Sequence, residues 1–276
     1  MIREDLLRPV ERMWDQEVAE GCGYTVPALD LSRDLIDRYV SGEVHHLPGM
    51  EEVLDLREVL PGVAGKDVLC LASGGGQQTA VFSLCGARVT SVDLCEGQLE
   101  ADRVAARHYG YDIRAVKSSM DDLSMLADES FDLVYQAVSL CFAPDVRAVY
   151  REVHRVLRKG GVYNVALSNP ATASLAFVGG SSGWDGVGYR IADRYQGGPI
   201  LRDATGRENM EEGEPIGEHV HLFRDMVGGL LELGFIIRQV SEDSRHLQPT
   251  ITGEPGSWTH QQHFVGWQIN VLAEKG

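Results

Sequence analysis

The feature that most constrains the fold of this chain is a short apolar run followed at once by three consecutive glycines. Residues 68–71 are typical of a buried strand, and Gly74, Gly75 and Gly76 follow directly. Residues 79–85 then have the pattern of the first turns of a helix. A strand, a glycine turn and a helix in this order place a helix N-terminus where it can meet a nucleotide-like ligand.

A second apolar strand, residues 87–92, ends in Asp93. This carboxylate stands about 20 residues past the glycine turn, where the hydroxyls of a bound ribose need an acceptor. Two ligands suit such a site: a dinucleotide and S-adenosylmethionine (SAM). A dinucleotide fingerprint spreads its glycines as G-x-G-x-x-G, whereas here they are contiguous and Thr79 stands where the third would fall. The turn also has no Lys or Arg to compensate a diphosphate.

Residues 68–76 resemble motif I of the class I SAM-dependent methyltransferases, which has the pattern V-L-D-L-G-C-G-x-G. Cys70 replaces the acidic residue usual inside that strand, and Ala72 replaces the first glycine. Residues 131–136, Phe-Asp-Leu-Val-Tyr-Gln, are similar to the strand that carries the family's motif IV. The resemblance implies that SAM is the cofactor and that the chain is an enzyme that transfers a methyl group.

The resemblance also implies a set of cofactor-binding residues. In the loop that holds the adenine, Ser119 stands where the family usually has Asp, so either Ser119 or Asp121 is expected to meet the adenine amino group, and Met120 is expected to cover the ring. The full expected set is Ala72, Ser73, Gly74, Gly76, Gln77, Asp93, Leu94, Gln98, Ser119, Met120, Asp121, Gln136 and Ala137.

Strand and helix patterns alternate regularly from residue 67, which predicts an α/β fold. Seven strands are expected. The resemblance implies a Rossmann-like sheet of order 3-2-1-4-5-7-6 with the last strand antiparallel. Residues 1–60 are expected to form an N-terminal helical lid, with one of its helices over 51–60, and residues 61–276 the SAM-binding domain. The glycine-rich stretch 168–218 interrupts the alternation and is expected to be an inserted substrate cap.

Several boundaries follow from local signals. Pro144 is expected to open a helix at its first turn, and residues 158–161, Arg-Lys-Gly-Gly, to close it. The final strand is expected over 263–272.

Charge and composition restrict the partners. The chain has 25 Lys and Arg against 41 Asp and Glu, a formal net charge of −16, so nucleic acids and anionic membranes are expected to be repelled. No apolar run approaches the length of a spanning helix, and the charged N-terminus lacks a signal-peptide pattern. We therefore expect a cytoplasmic monomer or homodimer that acts on a small-molecule substrate.

The five cysteines form no C-x-x-C pair, and no H-x-x-x-H occurs, so neither a disulfide framework nor a metal site is predicted. An acceptor such as an amine or a phenol can need a general base. The candidates for catalysis are His219, His221 and Tyr24. Because the two histidines are two residues apart, the expectation is that they point to different sides and that one of them faces the site.

Two alternatives remain open from the sequence. A NAD-dependent oxidoreductase shares the strand, the glycine turn and the acid. A SAM-binding module without turnover would share the whole cofactor site.

Overall fold

The computed structural model describes residues 3–49, 56–72, 74–172, 184–189, 197–201, 215–242 and 250–276. Its centre is a seven-stranded sheet of order β3-β2-β1-β4-β5-β9-β8, which confirms the expected order and the antiparallel last strand. Strands β1 to β5 are parallel, and β9 runs antiparallel to both β5 and β8. The strands of this sheet are β1 Asp67–Leu71, β2 Arg88–Asp93, β3 Ile113–Lys117, β4 Phe131–Gln136, β5 Leu157–Ser168, β8 Phe235–Glu242 and β9 Gln268–Lys275.

Helices cover both faces of the sheet, as buried parallel strands require. One apolar cluster joins α5 and α6 to one face, and a second joins α2 and α3 to the other. The helix α5 buries Val146, Val149, Val153 and Val156 at the spacing of one helix face. The α-helices are α1 Arg3–Glu20, α2 Arg33–Val40, α3 Gln78–Leu84, α4 Glu96–Tyr109, α5 Val146–Val156, α6 Phe223–Glu232 and α7 Trp258–Gln261, and the 3-10 helices are η1 Gly23–Thr25 and η2 Leu140–Phe142.

A separate antiparallel ribbon, β6 Gly198–Leu201 with β7 Pro215–Val220, lies within the stretch expected to be irregular. The strand β7 packs against α1 and against η2, which directly follows β4. The ribbon therefore lies at the carboxyl end of the parallel strands. Most of the expected cap, 173–183, 190–196 and 202–214, lies outside the described residues. Among the described residues, no helix combines the length and apolarity needed to cross a membrane.

Some boundaries in the N-terminal and central parts of the chain were wrong. The helix expected over 51–60 is not formed at 56–60, which are turns, and 51–55 lie outside the described residues. Pro144 does not open α5, because the helix begins at Val146 after the N-cap Asp145, whose side chain accepts from Arg147 N at 2.9 Å.

Residues 158–161 do not close α5 but belong to β5. The register steps from Phe131↔Leu157 to Leu133↔Val162, which leaves 158–161 as an irregularity in the strand. Arg158 pairs there with Asp67 of β1 at 2.9 Å and with Asp132 of β4 at 2.8 Å, so its side chain is bonded to the neighbouring strands. The last strand begins at Gln268 and not at residue 263.

Candidate active site

The loops that follow β1, β2, β3 and β4 meet at one edge of the sheet. Ala72 N donates to Val92 O at 2.7 Å, and Ser118 N donates to Asp93 O at 3.0 Å, so the ends of β1, β2 and β3 are joined directly. In an open α/β sheet, the carboxyl ends of the strands form the ligand crevice. The structure thus brings together the glycine turn, Asp93 and the loop at 118–121, as the sequence predicted.

The glycine turn has a left-handed backbone throughout its described part. Gly74, Gly75 and Gly76 have φ values of +65°, +67° and +78°. Ala72 also has a positive φ of +45°, a region that costs an L-residue with a Cβ about 1–2 kcal/mol. Strain of this kind persists where the surroundings hold it, commonly at ligand sites. Ser73 lies outside the described residues.

A segment that we call the strap, residues 21–28, packs on this turn. Gln77 Nε2 donates to Gly23 O at 2.6 Å and to Val26 O at 3.1 Å. An ideal Cβ on Gly75 would lie 2.6 Å from Thr25 C, so only glycine permits this approach. Gln77 was expected to contact the cofactor, but its side-chain amide binds the strap.

Tyr24, a predicted catalytic residue, lies in the strap. Its side chain is 43% exposed, and its carbonyl oxygen is 3.0 Å from the position of an ideal Cβ on Gly74. The backbone of Tyr24 thus adjoins the turn, while its side chain remains accessible.

The carboxylate of Asp93 is hydrogen-bonded to the backbone of the glycine turn and of the two residues that follow it in the chain. Its Oδ1 accepts from Cys95 N at 2.9 Å, and the backbone of Gly74 and Leu94 also donates to it. Burial raises the pKa of Asp93 to about 7, with a smaller contribution from the charge of Asp102, while the backbone hydrogen bonds act in the opposite direction. A ligand that donates hydrogen bonds to the ionised form of such a carboxyl group stabilises that form and lowers the raised pKa.

Asp102 is a site-organising residue that the sequence reasoning missed. It is 1% exposed and accepts from Thr79 Oγ1 at 2.8 Å, from Ser91 Oγ at 2.6 Å and from the backbone of Gly76. It therefore ties α4 to α3, β2 and the glycine turn. Burial raises its pKa to about 6, against these hydrogen bonds. The available signal was a carboxylate in line with Leu99, Ala105 and Ala106, on the apolar face of α4.

Gln98 supplies an independent sign of a ligand. It is 3% exposed, its Nε2 lies 4.0 Å from the ideal Cβ position of Gly74, and its Oε1 is buried without a hydrogen-bond partner among the described residues. An unpaired buried acceptor costs about 1–3 kcal/mol. A ligand in the turn that carries a donor would remove this cost, so the residues present fit a SAM-like cofactor.

Around the adenine loop, Ser119 Oγ donates to Asp121 Oδ1, which holds the two predicted adenine contacts together. Met120 packs against the core, and Leu94 and Ala137 are half-buried beside the same edge. Gln136 uses its amide inside the protein: Nε2 donates to Ser139 Oγ at 2.9 Å, and Oε1 accepts from Tyr163.

His219 lies on β7 and His221 directly follows that strand, and the expectation that they point to different sides was wrong. Their rings are stacked, with centroids 6.2 Å apart and planes 13° from parallel. Residues two apart along an extended chain share a face, and the pairing of β7 with β6 extends to Val220, directly before His221. Within the described part of the chain, no three His, Cys, Asp or Glu residues are placed to hold a metal ion.

Comparisons with known proteins agree with this geometry. A family profile described as a methyltransferase domain matches residues 69–165, which contain β2, β3 and β4 and most of β1 and β5. An uncharacterized methyltransferase of Bacillus subtilis, YbaJ, is 33% identical over 84% of this chain and 88% of its own length. This match extends well beyond the residues that the family profile covers.

Other relatives align only through the central part of the chain. A ubiquinone biosynthesis O-methyltransferase of Pseudomonas syringae is 31% identical and is covered over 51% of its length, and a rice 24-methylenesterol C-methyltransferase is 37% identical and covered over 31%. A SAM-dependent methyltransferase structure from Mesorhizobium loti superposes with a TM-score of 0.61 at 27% identity, covering 79% of this chain and 95% of its own.

Proposed function

Because the chain belongs to the class I SAM-dependent methyltransferases, we propose that it moves a methyl group from SAM to a small-molecule acceptor held at the carboxyl edge of the sheet. The observation that carries this proposal is the prepared cradle. It has three left-handed glycines, of which Gly74 is hydrogen-bonded to the half-buried Asp93. The buried Oε1 of Gln98 also lacks a hydrogen-bond partner among the described residues.

Each cradle residue has a distinct role in this proposal. Asp93 accepts from the ribose hydroxyls, and Gly74 allows the cofactor to approach the backbone. Ser119 and Asp121 meet the adenine amino group, and Met120, Leu94 and Ala137 supply apolar contact. Of the remaining expected residues, Ala72, Ser73, Gly76 and Gln98 complete the cradle. Gln77 acts through the strap, and Gln136 acts through its bonds to Ser139 and Tyr163.

The cofactor supplies an activated methyl group, so the protein's main task is to align the acceptor and exclude water. Alignment alone can supply about 7–11 kcal/mol of the barrier. The lid of residues 1–60 is suited to this task, because α1 packs on both α4 and β7 and the strap packs on the glycine turn. The cap of residues 168–218 is proposed to shape the acceptor pocket.

The names of the relatives support a small-molecule acceptor but do not identify the atom that receives the methyl group. Their names include both O-methyltransferases and C-methyltransferases. A geranyl diphosphate C-methyltransferase of Streptomyces coelicolor shares the fold at a TM-score of 0.59, with 16% identity and 98% coverage of both chains.

The test begins with binding. Thermal shift and calorimetry with S-adenosylhomocysteine (SAH) should show binding, and NAD should give none. Asp93→Asn should weaken SAH binding, whereas the matched change Asp112→Asn, on an exposed carboxylate next to the amino end of β3, should not. A methylation screen over phenols, amines, thiols and carboxylates, followed by SAH release, then separates an enzyme from a non-catalytic SAM-binding module. NAD binding without SAH binding would refute the proposal.

A further inference from the structure

His219 of β7 and His221, which directly follows that strand, differ in what their ring nitrogens bind. His221 Nε2 lies 3.1 Å from Leu140 O and 2.9 Å from Ala143 O. Both partners are carbonyl acceptors, so Nε2 carries the proton. This nitrogen anchors the end of β7 to η2, immediately after the carboxyl end of β4. His221 is therefore a positioning residue.

His219 has a ring nitrogen that makes no hydrogen bond with any described residue. Its ring is hydrogen-bonded to the backbone of Gly217 and Cys141, and its Nδ1 is buried without a partner among the described residues. The bonds to backbone carbonyls therefore use Nε2–H, which leaves Nδ1 with a free lone pair. Burial lowers the pKa of His219 more than those bonds raise it, so the ring is neutral near pH 7. A buried acceptor without a hydrogen bond destabilises the folded protein by about 1–3 kcal/mol. A ligand that donates a hydrogen bond to Nδ1 would remove this penalty.

The surroundings of η2 are aromatic. Trp14 of α1 meets Phe142 edge to face, with centroids 5.6 Å apart and planes at 81°, and both rings are half-buried. Val10 of α1 packs against Gly217, whose ideal Cβ would lie 2.7 Å from Val10 Cγ2. The lid helix, η2 and the strand of His219 thus meet at one place. Aromatic rings packed in this manner favour another ring as their neighbour.

We propose that His219 is a catalytic base and that the acceptor is a phenolic hydroxyl; this inference rests on the proposed methyl transfer. The phenol O–H bond breaks and its proton goes to Nδ1. The oxygen electron pair forms the new O–CH3 bond, and the pair of the broken S–CH3 bond stays on sulfur. The products are an aryl methyl ether, SAH and an imidazolium that returns its proton to water.

A phenol suits this base better than other acceptors. Its pKa is about 10, as for tyrosine, so a neutral imidazole can take the proton while the new bond forms. An aliphatic alcohol is far less acidic and is a poor match for imidazole. A carboxylate or a thioether has no proton to give, so neither would relieve the unpaired Nδ1.

The experiment compares two phenols at pH 8 in the wild type, His219→Gln and His154→Gln. His154 is the matched control, since burial also lowers its pKa but it packs against Phe235 in the last turn of α5, away from the site. With 4-methoxyphenol, kcat should fall about 100-fold or more in His219→Gln, because general-base catalysis contributes roughly 10²–10⁴-fold. With 4-nitrophenol, which is largely ionised at this pH, the loss should be below about tenfold. His154→Gln should match the wild type with both.

A second measurement does not depend on turnover. In histidine-labelled protein saturated with SAH, the Nδ1 resonance of His219 should shift when 4-methoxyphenol is added, and that resonance should be absent in His219→Gln. Affinity for SAH should stay within about threefold in the variant, a difference of about 0.7 kcal/mol.

The outcomes are distinguishable. Equal losses with the two phenols would show a structural role for His219 and overturn the proposal, as would full turnover in His219→Gln. Binding of SAH by the wild type without turnover of either phenol would overturn the acceptor class while leaving the proposed function intact. A wild type that does not bind SAH would overturn both.

Discussion

Affinity for SAH should increase about tenfold between pH 6 and pH 8, because Asp93 must be ionised to accept hydrogen bonds from the ribose hydroxyls. The pKa of Asp93 in the free protein is raised to about 7. About one tenth of the molecules therefore carry the ionised form at pH 6 and about nine tenths at pH 8. The ratio corresponds to about 1.4 kcal/mol of binding free energy.

The sign follows from proton linkage. A ligand that donates to the carboxylate lowers its pKa, so binding releases a proton wherever the free protein still holds one. Affinity therefore rises with pH through about 7 and becomes constant above it. At pH 7, binding should release about half a proton.

Calorimetry with SAH at pH 6, 7 and 8, in buffers of different ionisation enthalpy, measures both quantities. Asp93→Asn should bind SAH more weakly at pH 8 and lose the part of the proton release that comes from Asp93, whereas Asp112→Asn should behave as the wild type. Asp102, with a pKa raised to about 6, titrates in the same window. Its contribution and that of the ligand persist in Asp93→Asn, so the difference between the proteins isolates Asp93. The same pH slope in both would refute the reasoning.

Three further outcomes are expected. Gly75→Ala should destabilise the protein by about 2–4 kcal/mol in urea unfolding, because left-handed strain adds to overpacking against Thr25. The control Gly110→Ala, at φ +74° with open space around its Cβ, should destabilise it by only about 1 kcal/mol. Equal losses in the two variants would contradict the close contact between Gly75 and Thr25. Gln77→Ala should speed hydrogen exchange in the strap and leave exchange in α5 unchanged. Unchanged exchange in the strap would show that the two hydrogen bonds from Gln77 Nε2 do not hold it in place. For Asp102, burial raises the pKa in the folded protein to about 6, so its contribution to the free energy of unfolding falls as the pH rises from 4 to 6. Asp93 contributes a slope of the same sign in both proteins, because its pKa is also raised. The wild type should therefore lose up to about 1.4 kcal/mol more per pH unit than Asp102→Asn, and parallel curves would rule this out.

The sequence by itself determined the framework of the cofactor site. Three adjacent glycines after a buried strand, with Asp93 at the end of the next strand, restrict the chain to an α/β fold with a nucleotide-like site. These signals are local: each depends on backbone freedom, periodicity or a short spacing. The strand order also followed, through resemblance to a family in which these signals have that meaning.

Only the tertiary structure decided what each side chain near the site does. Gln77 lies in the turn yet binds the strap, and Asp102 joins three elements, because their partners are 51 to 54 and 11 to 23 residues away in the chain. His219 and His221 are the same residue type two positions apart, but the carbonyls of Leu140 and Ala143 bind a nitrogen of His221. Nδ1 of His219 has no partner among the described residues. Such differences depend on burial and on which distant groups arrive at hydrogen-bonding distance, and neither is encoded in local sequence.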